Sequence, residues 1–92
     1  MEYRIEAVKT LTLGTAETEL ELGCGGFLLQ NNSESAVLYF KEKAYDGAAV
    51  TAANGFALRP GETMHTVLCG RTLSLAASAA NTAAAVLLLK AV

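Results

Sequence analysis

The chain has 92 residues, a net charge of −2 and a pI near 5.2, with 52% hydrophobic residues, much of that share alanine. This length fits a single domain, placed at residues 1–92. The seven basic residues are scattered, which excludes the basic stripe of a nucleic-acid binder. The N-terminus, MEYRIEAVKT, bears Glu2, Arg4 and Glu6 and lacks the apolar run of a signal peptide. The longest unbroken apolar tail, AAAVLLL, is far short of the roughly 20 residues that cross a bilayer. A protein with no membrane partner, cytoplasmic when made, is expected.

Residues 3–13, YRIEAVKTLTL, mix β-branched and aromatic residues with charges and read as a strand with a bend near Ala7-Val8. After Gly14, the alternation of Glu17, Glu19 and Glu21 with Thr18, Leu20 and Leu22 has the period of two of a half-buried strand. A Gly-rich connection, GCGG, leads to a short strand, FLLQ, and then to NNSES. Its small polar side chains make a turn by bonding back to their own backbone. From Ala36 onward, Ala36, Leu38 and Phe40 share one face, and Val37, Tyr39, Lys41 and Lys43 share the other.

Three turn signals follow. Asp46-Gly47 and Asn54-Gly55 suit two-residue hairpins, whose central positions need positive φ. Pro60-Gly61 suits the centre of a type II turn. They predict strands near 36–45, 48–53 and 56–59, with further strands at MHTVLC (64–69), 72–79 and 84–91. The alanine- and leucine-rich end also fits a helix. The alternation of Leu73, Leu75 and Ala77 and the turn-like Asn81-Thr82 favour strands. The predicted fold is all-β: an antiparallel β-sandwich or jelly-roll-like barrel of about eight short strands.

Little in the chain points to chemistry. His65 is the single histidine, and no His, Cys or carboxylate spacing assembles a metal site. Cys24 and Cys69 lack a CxxC or disulfide-rich pattern and read as two reduced, buried hydrophobes, with a single disulfide between them as the alternative. GCGG has no Walker lysine, so it reads as a turn and not a phosphate loop. Asn31-Asn32-Ser33 matches a glycosylation sequon but reads as a turn. The Glu17-Glu19-Glu21 stripe offers calcium or a basic partner a surface; a solvated strand face, with Lys41 and Lys43 as pairing partners, is the plainer reading. Tyr39, Tyr45 and Phe56 offer a sugar an aromatic platform, and core or interface packing explains them as well. No catalytic residue, metal ligand or cofactor is expected, and the chain does not read as an enzyme.

The segment VLLLKAV is apolar on both faces, since Val86 and Leu88 oppose Leu87 and Leu89. Strands of that kind are normally covered on both sides. Val37 and Tyr39 raise the same question. A symmetric homo-oligomer is the simplest answer, with Val37, Tyr39, Val86 and Leu88 as candidate interface residues.

FLLQNNS (27–33), NGFALRPGE (54–62) and RTLSLAAS (71–78) resemble segments of small all-β proteins encoded among the structural genes of tailed bacteriophages and prophages. The resemblance spans residues 27–80 and implies a virion or assembly role: head decoration, fibre or tail accessory. Other virion proteins would then be partners and the virion the final location. It carries over no catalytic residue. The alternative is a small carbohydrate- or surface-binding β-sandwich module.

Overall fold

The computed structural model describes residues 2–22, 25–43, 47–66 and 72–91, with the side chains of Tyr3, Thr66 and Ala91 excepted. Cys24, Tyr45, Asp46 and Cys69 lie outside them, and with them the state of the cysteines and the first of the predicted hairpin turns. Eight strands follow in chain order: β1 (Tyr3–Leu13), β2 (Thr18–Glu21), β3 (Phe27–Asn31), β4 (Leu38–Glu42), β5 (Phe56–Leu58), β6 (Thr63–Thr66), β7 (Thr72–Ala77) and β8 (Thr82–Ala91). The alanine-rich end is therefore strand. Its β-sheet neighbours on both sides outweigh the helix preference of isolated alanine and leucine.

All pairings are antiparallel, and they form two four-stranded sheets of order β1-β8-β3-β6 and β2-β7-β4-β5. We call these the first and the second sheet. The first strand pairs with the eighth, the second with the seventh, the third with the sixth and the fourth with the fifth. The chain is thus one long hairpin whose successive rungs alternate between sheets, and the junctions β8·β3 and β7·β4 complete each sheet. That is the strand order of the eight-stranded jelly roll.

Inward-facing residues of both sheets merge into one core. Leu13, Phe27, Leu29, Val86 and Leu88 come from the first sheet; Leu20, Leu38, Phe40, Leu58, Leu73 and Leu75 come from the second. The alternation read at Ala36, Leu38 and Phe40 is the buried one, as is that of Leu20 and Leu22. The bend expected in β1 is a register shift between Ile5 and Ala7, with Glu6 as the extra residue. At Arg59–Glu62, Gly61 has φ 80°, and the Glu62 N–H donates to the Arg59 carbonyl at 3.0 Å, as in a type II turn.

The strand expected at 48–53 is absent, and the Asn54-Gly55 hairpin with it. Gly55 has no positive φ, and its N–H donates to the Thr51 carbonyl in a single tight turn. The Asn54 side chain holds that turn by accepting from Thr51 N–H and donating to the Ala49 carbonyl. Beyond the turn β5 pairs directly with β4, as Phe40 faces Phe56 and Leu38 faces Leu58. The physical reason lies in Val50. It is buried, and its N–H donates to the Ser74 hydroxyl at 2.9 Å, so the segment packs on β7 and forms no ladder of its own.

Candidate functional site

The two sheets turn very different outer faces to their surroundings. On the second sheet, alternation places Ser74 and Ala76 outward, because Leu73, Leu75 and Ala77 fill the core. Ser74 and Ala76 are nevertheless buried. Residues 47–55, between β4 and β5, fold back onto Ser74, with Val50 as their anchor.

Charges rim this covered face. Lys43, just past β4, reaches across β7 to Glu17 at 3.0 Å and to Glu19 at 2.5 Å. Glu17 in turn accepts from the Ser74 hydroxyl at 2.5 Å. The Ser74 hydrogen bond, and then that from Lys43, hold the Glu17 carboxyl below its ordinary value. The hydrogen bonds to Glu19 and Glu17 raise the Lys43 ammonium above its own. The acidic stripe therefore meets a lysine of its own chain, and the cluster fastens a loop onto a sheet.

The outer face of the first sheet has no such cover among the described residues. In β8, Thr82, Ala84, Val86 and Leu88 point inward, leaving Ala83, Ala85, Leu87 and Leu89 outward. Their register partners on β1 are Thr12, Thr10, Val8 and Ile5, and on β3 they are Leu28 for Leu87 and Gln30 for Ala85. His65 and Thr63 on β6 continue the face beside Leu28 and Gln30. None of these outward positions carries a charge. Ile5 and Val8 are each 64% exposed, and between Val8, Leu28, Gln30, Thr63 and Leu87 lies a shallow depression of about 350 Å³.

Of the four residues expected at an interface, Val86 and Leu88 lie in the core, at 0% and 7% exposure. The face of β8 open to a neighbour is that of Leu87 and Leu89. The sequence cannot distinguish the two, because both sides of the strand are apolar and only the partner strands decide which points inward. Val37 and Tyr39 are half-buried next to the second sheet's covered face. Ile5, Val8 and Leu28 lie on that same face, and for Leu28 the alternation of Phe27, Leu29 and Asn31 against Leu28 and Gln30 is the signal in the sequence.

A second concave feature opens between the edge strands β5 and β6. Phe40, Phe56, Met64 and Leu73 line a cleft of about 400 Å³, with His65 and Asn54 at its margin. Phe56 is 74% exposed and stacks on Phe40, their ring centres 5.8 Å apart. Tyr39 faces the opposite side of the second sheet, so Tyr39 and Phe56 form no common platform. His65 is exposed, and among the described residues no group of three or more His, Cys, Asp or Glu side chains is gathered as a cation would require. No helix among them is long and apolar enough to cross a membrane. Asn31 is fully buried with its amide engaged twice, so the sequon residue is a structural one.

The chain matches no protein-family model, no curated protein and no solved structure.

Proposed function

We propose that the chain is a non-enzymatic structural or assembly subunit that self-associates, of the type found as head decoration, fibre or tail accessory parts in tailed phages and prophages. The observation that carries this reading is the contrast between the two outer faces. One is charged and roofed by the chain's own loop, while the other has uncharged, centrally apolar register-paired positions and no such roof among the described residues. Contiguous exposed apolar surface on a small protein marks an interaction site. The jelly roll adds support, since viral capsid and lectin domains use it. The architecture by itself assigns no function.

The test is the absolute mass of the purified chain by light scattering across a concentration series. A multiple of the 9.6 kDa chain mass is expected. A mass of 9.6 kDa at every concentration overturns self-association.

One observation favours a second reading, a carbohydrate- or surface-binding module. Phe56 leaves one ring face to solvent beside an apolar cleft, and aromatic faces of that kind pack against flat ligands. Calorimetry against a panel of oligosaccharides, with Phe56→Ala beside the native chain, tests it. Binding that the substitution removes supports this reading, and no heat from any sugar removes it.

A further inference from the structure

We propose that two copies of the chain pack first sheet against first sheet about a two-fold axis, with Leu87 near the centre and Ile5, Val8, Leu28 and Leu89 around it. The proposal rests on the assembly reading above and fixes its partner and symmetry.

A two-fold interface sets each patch against an identical patch, so any charge on it lies near its own copy. On the second sheet that would bring the Glu17, Glu19 and Glu21 stripes of two copies together. The register-paired outward positions of the first sheet carry no charge and the acid beside them, Glu6, sits at the β1 bulge, so the centre of this face meets itself without repulsion.

The molecule is a slab of 37 × 30 × 16 Å, and the first sheet forms one of its broad sides. A face of that size is large enough for the about 800 Å² that each partner contributes to a standard interface. The depression beside Leu87 gives it the relief into which a partner's side chains seat.

A ring requires two different complementary patches on each subunit, whereas a single self-complementary patch closes at two copies. Among the described residues the large exposed apolar side chains are Ile5, Val8 and Phe56. Ile5 and Val8 share the first sheet's outer face, and Phe56 stands apart at the cleft. The result is a four-layered stack in which both acidic, loop-covered faces and both clefts remain outside.

The test uses Val8→Glu and Val8→Lys, which alter an exposed position and leave the core untouched. Thermal melts of both variants check the fold. The native chain is expected at twice the single-chain mass, and each variant alone at the single-chain mass. An equimolar mixture should regain the double mass, because the like-charge repulsion within either variant's dimer is then replaced by attraction across the axis. Phe56→Ser is expected to associate like the native chain. Variants that associate as the native chain does overturn the proposal while leaving self-association standing. Dissociation by Phe56→Ser instead, or a native mass of three or more chains, overturns it in the same way. A native chain that is monomeric throughout overturns it together with the reading beneath it.

Discussion

The side-chain amide of Asn31, at the end of β3, donates to the Leu58 carbonyl on β5 at 2.9 Å, so that one buried residue links the two sheets. The same amide donates to the Ala36 carbonyl at 2.9 Å, and its oxygen accepts from Ser33 N–H at 2.9 Å. The Asn31 carbonyl also accepts from Gly61 of the Pro-Gly turn. Asn31 thus fixes two turns and a crossing between layers. Asn31→Ala leaves two carbonyls and an N–H without these partners and should lower stability by about 2–4 kcal/mol in urea unfolding. Asn31→Asp should destabilise at least as much at neutral pH, since its carboxylate faces carbonyls where the amide donated.

The Glu17–Lys43–Ser74 cluster gives stability a readable pH dependence. Glu17 is held below its ordinary value of 4.5, so its contribution is complete above that value and is lost as pH falls through the lowered one. Lys43 is held above 10.5, so its contribution is complete below that value and is lost as pH rises through the raised one. Between the two limits the cluster is intact. Glu17→Gln should lower the melting temperature at pH 7, and the gap to the native chain should narrow on acidification to pH 3. A gap that stays constant across that range would detach Glu17 from the acid limb.

Gly55 is required for space. A Cβ there would lie 2.4 Å from Val50 Cγ2 and 3.2 Å from the Phe40 and Thr51 carbonyl oxygens. Gly55→Ala should displace Val50 from its seat on β7 and reduce stability by about 1–3 kcal/mol. At Gly61 nothing lies within 4 Å, but φ is 80°. Gly61→Ala should therefore cost only about 1–2 kcal/mol, from the left-handed backbone. Denaturant midpoints of the two variants test the ranking.

The strands were legible where one face is polar. Glu19 and Glu21 against Leu20, and Lys41 against Leu38 and Phe40, show which way β2 and β4 point. In β8 both faces are apolar, so the alternation that identifies it as a strand is silent on which side is inside. Asn31 occupies the inward rung after Phe27 and Leu29, yet as a residue type it reads as a turn former, and it is both. Over 48–55 the fold departs from the expected strand and hairpin because Asn-Gly is a local preference. A buried Val50 and its bond to Ser74, remote in sequence, outweigh it. VLLLKAV shows that one apolar side of β8 must point outward but not which one, and Ile5 and Val8, the other half of that face, lie at the far end of the chain. Only the β1·β8 pairing brings them together.

Small-angle X-ray scattering on the eluting peak of a sizing column tests the face-to-face assembly most directly. One chain has a Cα radius of gyration of 12.6 Å. With packed sheets spaced about 10 Å apart, two copies stacked on their first sheets have centres about 20 Å apart and a joint radius of gyration of about 16 Å. That value, with twice the single-chain mass, is the predicted result. Copies joined edge to edge across the 30 Å or 37 Å dimension would give about 20 Å or more, given the standard strand spacing. Such a value, or scattering from a single chain at all concentrations, would contradict the account.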